Sequence, residues 1–217
     1  MNKLIQNTVF IFFMLFECLA MAQSSVEAKA ILDKVTTTVN SFENIQIEFS
    51  YELVNTEADL NQKTKGTILL SGDRYKLNVL GITRLFDGTK LYTISPEDEE
   101  ITISTGESND TDTVSPSEML RFFNTGYDVK MDIVQKIPGR SIQFLKLVPV
   151  QKNEDVSYLL LGIDTKTNMV YRLIEIGNEN TKTILTVDYY SANKSLSKDA
   201  LKFDAKAYPG YFLNKLE

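Results

Sequence analysis

Residues 45–53 place the tightest constraint on what this chain can become. Ile45, Ile47, Phe49, Tyr51 and Leu53 alternate with Gln46, Glu48, Ser50 and Glu52. A period of two puts one set on an apolar face and the other in water, which a strand does and a helix cannot. The same period returns further on. Ile68 and Leu70 point inward on a strand expected over 65–71, and Tyr75, Leu77 and Val79 alternate with Arg74, Lys76 and Asn78. Ser71-Gly72-Asp73 between these two is a tight turn signal. Further strands are expected over 82–86, 90–95, 100–104, 127–135, 141–150, 156–163, 169–176 and 181–190, with a last short element around 211–213.

Two segments break the alternation. From Ser24 the chain reads as a helix: Ser24 and Glu27 make a capping-box pattern, and Ile31, Leu32, Val35 and Val39 follow at helical spacing. A second, shorter helix is expected after the polar stretch 106–114. Ser115 caps it, Pro116 occupies its first turn, and Asn124-Thr125-Gly126 ends it. Met119, Leu120, Phe122 and Phe123 make it strongly apolar for its length.

About ten or eleven strands against two helices, with short turns between neighbours, imply a large antiparallel sheet of α+β type. A sheet of that size must curl, split into a sandwich or close into a barrel, and periodicity does not choose among these. Nearly every strand has one apolar face, and two modest amphipathic helices can fill a common interior only in part. That mismatch is the physical case for a cavity. Phe49, Tyr51, Ile68, Leu70, Tyr75, Leu77 and Phe86 are its expected wall. Large apolar walls without polar anchors suit a flexible hydrocarbon chain.

The N-terminus reads as an address. Lys3 precedes the apolar run 9–16, and Ala20-Met21-Ala22 has the small-residue spacing of a cleavage site. Residues 1–22 are therefore expected to be a cleaved signal peptide, leaving 23–217 as a single domain. The one cysteine, Cys18, lies in that leader, behind Glu17 where a lipid-attachment site would require a small residue. The remainder has no thiol.

Chemistry is scarce. The chain contains no histidine, which removes the commonest general base, the serine–histidine–aspartate triad and nearly all zinc sites. No catalytic residue, metal or cofactor is expected, and the chain is read as no enzyme. The acidic runs 96–100 and 110–112 lack the glycine and distal glutamate of a calcium loop and read as solvated loops. A net charge of −6 argues against nucleic-acid binding, which needs clustered Lys and Arg.

These residues resemble a known family. Gly66-Thr67-Ile68-Leu69-Leu70, Arg74-Tyr75-Lys76-Leu77, the stretch from Phe86-Asp87-Gly88 through Leu91-Tyr92 to Pro96, Ser115-Pro116-Ser117-Glu118-Met119-Leu120, and Phe203-Asp204 with Tyr208-Pro209-Gly210-Tyr211 look like the LolA family of periplasmic outer-membrane lipoprotein carriers. The resemblance implies a half-open, incomplete β-barrel closed by a lid of short amphipathic helices. It implies a monomeric periplasmic carrier that takes acylated lipoproteins from an inner-membrane lipoprotein-releasing transporter to an outer-membrane acceptor. Ile31, Val35, Met119, Leu120, Phe122 and Phe123 would belong to the lid. Members of the family hold the lid shut with an arginine from an Arg-Pro pair near the end of the second strand. Here that stretch is Ser71-Gly72-Asp73, and Arg74 or Arg84 stands as the substitute latch. The alternative on the same fold is a lipid-sensing regulatory or envelope binding module.

Overall fold

The computed structural model describes residues 24–105, 123, 125–151, 155–177 and 180–216. Helix α1 spans 24–40. Its apolar positions recur on one face, and Ala28, Leu32 and Val35 are buried there. The hydroxyls of Thr37 and Thr38 donate back to the carbonyls of Asp33 and Lys34, each at 2.8 Å. Such bonds weaken the last turn, and the Ser41 hydroxyl caps it by donating to the Thr38 carbonyl at 2.6 Å. Burying a side chain such as Val35 stabilises this contact by about 1.5–3 kcal/mol.

Twelve strands follow: β1 (Ile45–Asn55), β2 (Leu60–Ser71), β3 (Arg74–Val79), β4 (Ile82–Phe86), β5 (Lys90–Ser95), β6 (Glu100–Thr105), β7 (Tyr127–Ile137), β8 (Arg140–Pro149), β9 (Val156–Asp164), β10 (Met169–Gly177), β11 (Thr181–Ala192) and β12 (Phe212–Lys215). They form one sheet in the order β12-β6-β5-β4-β3-β2-β1-β11-β10-β9-β8-β7. All pairs are antiparallel except β12 with β6. No pairing joins β7 to β12, so the sheet curls without closing.

Twelve strands exceed the expected ten or eleven because the short element expected around 211–213 is itself a strand, β12. It pairs parallel to β6 and is mostly exposed, with Phe212 67% accessible, so no inward alternation marks its bounds. β2 also begins at Leu60, five residues before the alternation predicts. After Leu60 the early part, Asn61-Gln62-Lys63-Thr64, is polar on both faces, and residues 60–64 are held by pairing with Tyr51–Asn55 and by the turn between. In that turn the Asn55 side-chain oxygen accepts from the N–H groups of Glu57 and Ala58. Of the two expected helices, α1 is present. Met119, Leu120 and Phe122 lie outside the described residues. Phe123 is 1% exposed and packs in the same cluster as α1.

The concave face carries two clusters. In one, Ala28, Leu32 and Val35 of α1 pack with Phe123 on Val129, Leu145, Leu147, Leu159, Leu161 and Ile163 of β7–β9. In the other, Ile45, Ile47 and Phe49 of β1 meet Ile68, Leu70, Tyr75, Phe86 and Leu91 of β2–β5. A third cluster lies on the convex face, where Leu85, Tyr92, Ile94 and Ile101 are sealed by Leu201, Phe203, Tyr208 and Tyr211 of the C-terminal segment. The corner between α1 and β1 is pinned to the end of β11. Asn44 exchanges side-chain bonds with the backbone of Lys194, and Asn193 accepts from the Glu43 N–H at 2.8 Å.

Candidate functional site

Alternation on paired strands brings every second residue to the same face, and between the two concave clusters that face encloses a cavity of about 260 Å³. β1 contributes Ile47, Phe49 and Tyr51, β2 contributes Ile68 and Leu70, and β3 contributes Leu77 and Val79, with Leu80 in the turn beyond. The opposite wall is Leu161 of β9, Met169, Val170 and Leu173 of β10, and Leu185, Val187 and Tyr190 of β11. Val39 of α1 completes it. None of these side chains is charged, and the only polar atoms among them are the two tyrosine hydroxyls. Such a chamber offers no orienting bond and gains only from removing hydrocarbon from water.

Five of the seven expected wall residues, Phe49, Tyr51, Ile68, Leu70 and Leu77, border the cavity. Tyr75 and Phe86 do not. They sit in the same buried cluster, ring centroids 6.0 Å apart, and fill the interior beside Leu70 and Ile45. Of the expected lid residues, Val35 is fully buried and Ile31 partly so, and both pack on the β7–β10 half of the sheet. Among the described residues, the part of α1 that reaches the cavity is Val39, one turn further on.

Arg74 and Arg84 occupy different places. Arg74 is exposed, with its stem against Gly88 in the β4–β5 hairpin. Arg84 pairs with Leu77 across β3 and β4 and so shares the cavity-side face. It is half-buried, and its Nε is enclosed without a hydrogen-bond partner among the described residues.

The wall contributed by β9–β11 was not foreseen as such. The alternation of Leu173 with Arg172 and of Leu185 and Val187 with Thr186 was legible. What was not legible is that β11 pairs with β1, across more than a hundred residues of chain, and so turns those residues toward Phe49.

Shifted titrations lie away from the cavity. Burial disfavours the charged form of Asp87, but N–H groups of Lys90 and Thr89, the Tyr92 hydroxyl and the Lys90 charge together hold its pKa below the usual value. Burial, and then the Asp87 charge, push the Tyr92 phenol up. On β10, burial and the nearby Asp155 charge raise the Glu175 carboxyl. Tyr127 is raised by burial and by Glu175. Among the described residues no cluster of acidic or thiol side chains is placed to hold a metal ion.

The fold has a known counterpart. An uncharacterized conserved protein from Thermus thermophilus superposes with a TM-score of 0.60 at 10% identity, covering 88% of this chain and 99% of that one. Lipoprotein LppX of Mycobacterium tuberculosis gives a TM-score of 0.45 at 11% identity, covering 78% and 99%. A LolA superfamily protein from Nitrosomonas europaea gives 0.42 at 12% identity, covering 81% and 97%. No family model matches the chain, and no curated protein matches it by sequence. At 10% identity the likeness to the Thermus protein is one of fold alone.

Proposed function

We propose that this protein is a periplasmic carrier that shelters the acyl chains of lipoproteins in the cavity between α1 and the sheet. It would collect them from an inner-membrane transporter and release them to an outer-membrane acceptor, without catalysing any reaction. The observation that supports this most is the uncharged lining of the cavity, walled by β1–β3 on one side and β9–β11 on the other. The sequence resemblance to lipoprotein carriers supports it independently.

Each methylene moved from water to this wall contributes about 0.8 kcal/mol. Binding of a long chain is then strong, and release requires transfer to a better site. The volume of about 260 Å³ lies just under the roughly 300 Å³ at which small-molecule sites begin. In this form the cavity takes a segment of one chain. Admission of three chains requires the wall formed by α1 to move away from the sheet, with Val39 leaving Leu161 and Val170.

The test is mass spectrometry of the protein purified from its native envelope, together with depletion in the living cell. Co-purified acylated peptide, and lipoproteins stranded in the inner membrane on depletion, are the expected results. Protein that carries no acylated molecule, with lipoproteins normally distributed after depletion, would overturn the carrier role.

A further inference from the structure

The sheet is forked between β10 and β11. Their ladder joins Arg172–Ile176 to Lys182–Thr186 and ends there. Both strands run on beyond it: β10 back to Met169 alongside β9, and β11 forward to Ala192 alongside β1. A register shift interrupts each at the root of the fork, at Tyr171 in β10 and at Asp188 in β11. An extra residue bends a strand and increases its twist, so the two diverge.

A second pocket of about 360 Å³ occupies this fork. It shares Met169, Val170, Val187 and Tyr190 with the apolar cavity, so the two chambers adjoin along one wall. Their linings differ in kind. The fork holds Arg140, Lys166, Thr167, Asp164 and Asp188. Both carboxylates already have donors. Asp164 accepts from the Lys166 N–H at 2.9 Å and faces Arg140 at 3.9 Å, and Asp188 accepts from the Ser50 hydroxyl at 2.6 Å. The Arg140 guanidinium also lies 5.7 Å from the centre of the Tyr171 ring. Two donors are left over. Among the described residues the Lys166 ammonium makes no ion pair and the enclosed Thr167 hydroxyl has no hydrogen-bond partner. Surplus donors beside engaged carboxylates favour a ligand that accepts hydrogen bonds and carries negative charge.

We infer that the fork between β10 and β11 receives the anionic head of a single-chain amphiphile, a carboxylate or a phosphate, while its alkyl chain lies in the adjoining apolar cavity. This rests on the acyl-binding cavity proposed above and assigns it a further class of ligand, a free anionic amphiphile. The chain supplies most of the affinity, and Lys166, Thr167 and Arg140 discriminate the head.

Displacement of an anthroyloxy-labelled stearate from the purified protein tests this, with palmitate, a palmitoyl lysophosphatidate and neutral monopalmitoylglycerol as competitors. The native protein should favour at least one anionic competitor over the neutral one by about fivefold, the scale of a single partly exposed charge. A stronger response to palmitate assigns a carboxylate, and a stronger response to the lysophosphatidate a phosphate. Lys166→Gln and Thr167→Val should each reduce that preference while leaving monopalmitoylglycerol unchanged. Arg140→Lys serves where Arg140→Gln fails to fold, since removing the charge would strand Asp164. Equal displacement by all three competitors in the native protein overturns the head site and leaves acyl binding standing. Loss of affinity for all three alike in Lys166→Gln and Thr167→Val does the same. If no competitor displaces the probe, or Leu185→Glu leaves every one of them bound, acyl binding in the cavity falls and the head site falls with it.

Discussion

The ring of Phe49 lies across Gly66, its antiparallel partner on β2. A Cβ at Gly66 would stand 2.6 Å from Phe49 Cε2 and 2.9 Å from the Asn78 carbonyl oxygen. Glycine is thus the residue that lets an aromatic side chain lie flat on the sheet at this place and form the cavity floor. Gly162 plays the same part for Phe144 on the convex face, where an added Cβ would come within 2.8 Å of Phe144 Cε1.

Gly66→Ala should therefore destabilise the fold by about 1–3 kcal/mol, the usual cost of forcing extra volume into a packed site. It should also push Phe49 into the cavity and weaken the binding of an acyl probe. Urea unfolding checks the first effect, as a lower midpoint at unchanged slope, and probe titration checks the second.

The C-terminal segment is held by aromatic stacking. Phe203 stacks on Tyr92 with centroids 4.3 Å apart, Tyr208 stacks on Phe203 at 5.9 Å, and Tyr211 meets Tyr208 edge-on at 5.4 Å. Phe203→Ala removes the middle of this column. A loss of about 2–3 kcal/mol is expected for the half-buried ring, together with faster hydrogen exchange in Phe212–Lys215, whose pairing to β6 follows the column in the chain. Thermal unfolding and exchange mass spectrometry read these two effects.

Glu175 gives the fold a pH dependence of definite sign. Burial, then the Asp155 charge, raise its pKa in the folded state above the usual 4.5. The folded protein thus holds this proton more tightly than the unfolded chain. Its stabilising contribution is full below the unfolded pKa and is lost as pH rises through the folded value. Asp87 acts oppositely. Burial opposes its charge, but its donors win and its pKa is lowered, so its contribution is present above 3.8 and is lost as pH falls through the folded value. Glu175→Gln should raise the melting temperature at neutral pH and remove the part of the pH dependence that lies above 4.5. Thermal melts from about pH 4 to pH 8 on both proteins measure this.

Most of the sheet was legible because its strands bury one face. The alternation from Ile45 to Leu53 and from Arg74 to Val79 maps onto β1 and β3. The start of β2 and the extent of β12, expected only as a short element around 211–213, left a weaker trace for one shared reason: neither has an inner face. Residues 61–63 are exposed, and Phe212 and Leu213 of β12 are exposed too. Such strands are held by hydrogen bonds to neighbours and not by side-chain burial, so no pattern marks them. The cavity was legible on the side where aromatic residues concentrate, at Phe49 and Tyr51. Its other wall depends on the pairing of Phe49 with Val187 and of Tyr51 with Leu185, and long-range register leaves no local trace. The fork at Tyr171 and Asp188 depends on the same register and was likewise hidden.

Titration of the anthroyloxy-labelled stearate onto the native protein, Leu185→Glu and Lys182→Glu tests the central claim most directly. Leu185 borders the cavity, is not fully buried and is flanked by Tyr51 and Leu173 on the neighbouring strands, whereas Lys182 is exposed on the opposite face of β11. An unpaired carboxylate in an uncharged chamber should weaken binding at least about a hundredfold in Leu185→Glu, with Lys182→Glu binding as the native protein does. Equal affinity in all three, with Leu185→Glu folded, would contradict the account.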